Sequence, residues 1–231
     1  MVFTGTAAEW QSFRDNPSGL TMATCGPSVD FVNYYANGAT SDSFTFNDVS
    51  LGAPAADRVL ILGIIAADGG WPGGERADSV TVNGIPATKQ TSYLSASVKY
   101  HFFTLAVPSG STGDIVVNWS GDIQTCGVLI YRATGLNSEI PEDDSGWWKL
   151  SDTGTTFSDV SVSKDGFIIG MMGTSGMADI TISGLSEDYE TPGTGSKIHA
   201  SSRMFTSAQT PSITYSWSGS HALARHAASW R

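Results

Sequence analysis

The side chains in this chain that could shuttle protons, attack a carbonyl or ligate a metal are four histidines, two cysteines and a scatter of carboxylates. Their spacing fits no common catalytic arrangement. Gly173-Thr174-Ser175-Gly176-Met177 departs from Gly-x-Ser-x-Gly at its fifth residue, and no Walker loop, His-Glu-x-x-His or Cys-x-x-Cys occurs. His101 and His199 each stand two residues after a lysine, Lys99 and Lys197. Such repetition fits a shared structural place better than an active site, which draws unlike residues from several elements. His221 and His226 lie in the Ala-rich last segment and read as ordinary imidazoles. Cys25 and Cys126 are too few for a disulfide framework or a zinc cluster and are expected to be unpaired thiols. Glu139, Glu142, Asp143 and Asp144 form the densest acidic group. Paired carboxylates can hydrolyse glycosides and bunched oxygens can hold calcium, but crowding into one short segment reads as a solvated loop. The expectation is a protein that is not an enzyme and carries no cofactor or metal.

Binding offers more. Trp71, Trp147 and Trp148 sit in Gly-rich or polar surroundings, where an indole can stack on a sugar ring or anchor a protein interface. Trp147 and Trp148 are neighbours, so on a strand they face opposite ways and only one would be buried in a half-exposed sheet. Asn118-Trp119-Ser120 spells a glycosylation sequon, which carries weight only in a secreted chain.

The elements that must position these residues read as strands. Hydrophobic residues make up 40% of the 231 and charged residues 15%, with 26 glycines, which suits a full core built from short strands and tight turns. Val59 to Ile65 is a continuous apolar run of strand length, as expected for a strand buried on both faces. Turn formers such as Asn83-Gly84, Pro108-Ser109-Gly110 and Ser120-Gly121-Asp122 separate the strands that follow. The second half repeats the first in order: Phe46-Asn-Asp-Val49 returns as Phe157-Ser-Asp-Val160, and Val80-Thr-Val-Asn-Gly-Ile85 as Ile180-Thr-Ile-Ser-Gly-Leu185. Lys99-Tyr-His101 returns as Lys197-Ile-His199, and Trp119-Ser-Gly121 as Trp217-Ser-Gly219. The predicted fold is therefore all-β: an antiparallel, jelly-roll-like β-sandwich over 44–231, made of two duplicated halves, 44–135 and 155–231, joined by 136–154. Trp119 and Trp217 are expected in equivalent buried places.

Ahead of it, residues 1–43 read as an arm. Thr6 and Glu9 form a capping box for a short helix over residues 6 to 15, and Asn16-Pro17 stops it. Trp10, Phe13, Phe31, Tyr34 and Tyr35 give this arm the makeup of a docking segment, the alternative being a strand that covers an edge of its own sandwich. The formal charge of -10 opposes nucleic acid and anionic membranes as partners. No apolar run reaches membrane-helix length, and Met1 to Gly5 lacks the basic and apolar regions of a signal peptide.

The phrases Phe44-Thr-Phe-Asn-Asp-Val-Ser-Leu-Gly52, Ala56-Asp-Arg-Val-Leu-Ile-Leu-Gly-Ile64, Val80-Thr-Val-Asn-Gly-Ile-Pro-Ala-Thr88 and Val107-Pro-Ser-Gly-Ser-Thr-Gly-Asp-Ile-Val-Val117 resemble a loose family of β-sandwich structural proteins of tailed bacteriophage virions. The resemblance spans residues 44 to about 135 and carries no catalytic motif. It implies a head decoration or minor tail or tail-tip protein, assembled in a bacterial cytoplasm into the virion. Its partners would be other virion proteins and further copies of itself, with a host surface glycan as an additional one. A carbohydrate-binding or adhesion module is the alternative, since such modules share these phrases.

Overall fold

The computed structural model describes residues 26–67, 76–94, 98–175, 179–192 and 197–231. Among them there are fifteen strands, all paired antiparallel, and no helix. The helix expected over residues 6 to 15, with Trp10 and Phe13, lies outside the described residues.

Nine strands come before residue 135: β1 (Ser28–Asn37), β2 (Ser41–Ser50), β3 (Val59–Ala67), β4 (Ala77–Val82), β5 (Ile85–Pro86), β6 (Thr88–Leu94), β7 (Val98–Ala106), β8 (Thr112–Ile123) and β9 (Thr125–Thr134). They make a five-stranded sheet in the order β1-β9-β3-β7-β6 and a four-stranded sheet in the order β2-β8-β4-β5. Six follow: β10 (Asp143–Phe157), β11 (Phe167–Thr174), β12 (Thr181–Ser183), β13 (Ser186–Glu190), β14 (Lys197–Met204) and β15 (Ile213–Trp230). Their sheet runs β10-β15-β11-β14-β13, with β12 on the early part of β15. Residues 143–157, most of which fall in the segment expected to join the halves, are thus a strand.

The side-chain period of two explains why the central strands are apolar throughout. From β3, Leu60, Leu62, Ile64 and Ala66 enter a core shared with Phe44, Val80, Ile115 and Val117 of the four-stranded sheet. Ile61 and Ile65 point the other way, into a core shared with Phe167, Ile169, Met171 and Trp230. β11 divides likewise: Ile168 and Met172 turn to a third core with Phe157, Ile180, Ile213 and Trp217. Two large sheets therefore pack face to face, and each has a further layer on its outer side. β10 and β15 serve both layers of the second half, and their pairing shifts register between Lys149 and Gly154, between the segments that serve the two layers. Trp119 and Trp217 are both buried, in the first and third cores.

The turn between β4 and β5 shows the local chemistry at work. Asn83 and Gly84 have φ of 51° and 77°, the paired left-handed geometry of a two-residue hairpin turn, which Asn-Gly adopts most readily. Close approach between the halves rests on another glycine. A Cβ on Gly146 of β10 would lie 2.6 Å from Cβ of Tyr93 on β6 and closer still to its ring. Gly146→Ala should accordingly cost about 1–3 kcal/mol through overpacking. In a double-mutant cycle with Tyr93→Ala most of that loss should vanish, and equal losses in both backgrounds would refute the contact.

Candidate functional site

Trp147 and Trp148 occupy opposite faces of β10. Trp148 packs on the core between the two large sheets, whereas Trp147 lies against the third core. Both are partly buried. Trp147 also lines an open cleft of about 470 Å³ with Lys149, Asp152, Phe157, Asp159 and Arg225. Arg225 is its fixed point. The cross-strand partner of Trp147, it lies with its guanidinium carbon 3.5 Å from the centroid of the Phe157 ring. Its Nη2 donates to Asp159 Oδ2 at 3.1 Å and its Nη1 to Ser145 Oγ at 3.3 Å. Lys149 Nζ donates to Asp152 Oδ2 at 2.7 Å, and this bond holds the Asp152 carboxyl below its ordinary range. Each cation is matched by a carboxylate, so the cleft joins an indole to a neutral set of donors and acceptors. Such a lining suits an uncharged, hydroxyl-rich ligand.

Three of the four histidines, His101, His199 and His226, are buried. His101 on β7 is buried edge-on to Trp119, with ring centroids 5.7 Å apart. Its Nε2 accepts the Ala77 N–H at 3.3 Å, so the proton sits on Nδ1 and goes to Ser92 Oγ at 2.7 Å. Burial pushes its pKa down to about 3, which keeps the ring neutral. His199 on β14 is equally buried, edge-on to Tyr215 at 5.5 Å. His226 bridges the halves: its Nε2 lies 3.1 Å from Thr91 Oγ1 and 3.2 Å from Asp144 Oδ2.

The acidic group of residues 139 to 144 does not converge. Glu142 accepts the Ser163 N–H at 3.2 Å, Asp143 accepts the Ser161 N–H at 2.8 Å, and Asp144 turns to His226. The main-chain carbonyl of Glu139 accepts Trp230 Nε1–H at 3.1 Å. Glu142 and Asp143 pin backbone and Asp144 pairs with an imidazole, so these carboxylates point to separate partners.

Of the expected docking residues, Phe31, Tyr34 and Tyr35 lie on β1, which covers the β9 edge of the first large sheet. Phe31 and Tyr34 pack on Tyr189 of β13, with centroids 6.0 and 5.0 Å away, and the Tyr35 hydroxyl accepts the Ser50 N–H. Cys126 is a buried free thiol whose pKa burial pushes up to about 12. Trp71 and Cys25 lie outside the described residues.

Two features escaped the sequence. Arg58 is buried against five main-chain carbonyls. Glu187, Glu190 and His199 bring one donor atom each to within 4.8 Å of one another. Neither has a motif; both depend on which strands pair. No protein-family model matches the chain, and no curated protein matches it.

Proposed function

We propose that this chain is a non-enzymatic structural protein of the bacteriophage virion, a head decoration or minor tail component that stabilises neighbouring subunits on the particle surface. What supports a non-enzymatic role is where the reactive side chains go. His101 is spent on holding strands, His226 on joining the halves, Arg225 on an aromatic ring and an ion pair, and the Glu142 and Asp143 carboxylates on backbone N–H groups. The virion assignment is supported by the strand phrases between residues 44 and 135. In this reading the halves arose by duplication. Their large sheets share one strand order, and the buried Lys99, His101 and Trp119 have counterparts in Lys197, His199 and Trp217. Mass spectrometry of purified particles from host cultures that make the chain should find it at fixed stoichiometry. Particles that lack it would overturn the assignment.

The Trp147 cleft favours a second reading, a carbohydrate-binding module, which a virion surface protein can also contain. An indole beside paired charges offers a sugar both a stacking face and hydrogen bonds. On a glycan array the chain should show saturable binding to neutral saccharides. Trp147→Ala should weaken it at least about tenfold, as loss of a buried aromatic anchor commonly does. An array without saturable signal, or one indifferent to Trp147→Ala, would remove this reading.

A further inference from the structure

We propose that Glu187, Glu190 and His199 form a binding site for one divalent transition-metal ion of the zinc class. The site goes beyond a structural or sugar-binding role. His199 lies on β14 and the two glutamates on the neighbouring edge strand β13, with Glu190 opposite His199 and Glu187 opposite Ser201. Residues three apart on a regular strand point to opposite faces. The register shift between Glu187 and Tyr189 lets these two share a side.

The first half carries the same frame with different chemistry. Ser92 stands opposite His101, and Lys89 opposite the residue two further on, again across a register shift. A hydroxyl and an ammonium there take the places of the two carboxylates, and both nitrogens of His101 have close hydrogen-bond partners. His199 keeps the burial without those partners. Its Nδ1 has no hydrogen bond among the described residues, and its Nε2 meets Glu187 Oε2 at 3.4 Å. That separation is long for a hydrogen bond to a carboxylate. It is close to the roughly 3.3 Å that separates two ligands bound at about 2.0–2.1 Å to a tetrahedral ion.

Donor type and charge agree with such an ion. An imidazole and two carboxylates are the nitrogen and oxygen donors that a zinc-class ion takes. Glu190 is oriented by two donors, the Ile180 N–H on Oε2 at 3.0 Å and Lys197 Nζ on Oε1 at 2.8 Å. Ligating carboxylates are commonly fixed by such outer partners. Lys197 also lies 3.7 Å from Asp179. Asp179 and Glu190 thus share one ammonium while Glu187 stands beside His199, and a divalent ion would neutralise the excess negative charge. One nitrogen and two oxygens leave a fourth position open to water, and the mixed donors favour zinc over calcium or magnesium.

Calorimetric titration of the untagged full chain with zinc chloride tests the site. The expected result is one saturable ion per chain, insensitive to excess magnesium. Glu187→Gln, a half-exposed change that should leave the fold intact, should weaken binding by more than tenfold, and Glu190→Gln should do likewise. His221→Gln, at a histidine outside the cluster, should leave it unchanged. Cobalt in place of zinc should give visible bands that Glu187→Gln alters. No saturable zinc binding up to millimolar concentration would overturn the proposal. So would binding that survives both glutamate variants, or that is lost with His221.

Discussion

Arg58→Met should cost the protein more than about 3 kcal/mol, among the largest losses open to a single substitution. The guanidinium is wholly buried, and its partners are carbonyls alone. Nε donates to Val107 O at 2.5 Å, Nη1 to Leu51 O and Gly52 O at 3.2 and 2.8 Å, and Nη2 to Ser109 O and Gly110 O, each at 2.8 Å. All five donors of the fork are engaged. They tie the loop after β2 to the loop after β7, where the four-stranded sheet joins the large one. Methionine fills part of the volume but strands the carbonyls, and each buried acceptor left unpaired costs about 1–3 kcal/mol. Some lie near solvent and will recover water, so the total falls below the sum. Lysine keeps the charge and offers three donors from one point, so Arg58→Lys should recover less than half of the loss. Urea unfolding of the three chains measures this. A loss under 1 kcal/mol for Arg58→Met would show that the loops hold without the clamp.

The Arg58 clamp also marks the limit of what the residues reveal in line. An isolated arginine among turn formers carries no periodic signal, and its worth arises only when five carbonyls from two distant loops converge on it. The β3 run was legible for the opposite reason. Its alternate residues each meet an apolar layer, so the pattern that signals burial on both faces is local. Asn83-Gly84 was legible because two adjacent left-handed residues demand that pair. The place of β1 was not, since Phe31 to Tyr35 has the composition of an arm or of an edge strand. Only the β9 partner and Tyr189 on the facing sheet distinguish its position. In the same way Trp147 and Trp148 read as surface candidates, and their separation onto a cleft and a core follows from the path of β10. Glu187 and Glu190 are ordinary acidic residues until a shifted register sets both beside a histidine.

Mild acid should weaken the fold through His101 before the carboxylates take part. Burial in the first core pushes its pKa down to about 3 from the ordinary 6.5, while the unfolded chain keeps the ordinary value. Between those limits the unfolded state binds a proton that the folded state refuses, so stability falls as pH falls. The contribution is complete above pH 6.5 and is lost as pH drops through the window towards 3. From pH 7.5 to 5, where most carboxylates are still ionised, His101 alone should remove about 2 kcal/mol. His199 is shifted downward by burial as well and adds to the slope in the same direction. His101→Gln can keep a hydrogen bond to Ser92 or Ala77 but cannot titrate. Whatever its stability at pH 7.5, the informative quantity is the slope: denaturant melts across this range should decline less steeply in the variant by about that 2 kcal/mol. A variant that declines as steeply as the parent would mean that the His101 ring meets water and titrates normally, contrary to its place against Trp119.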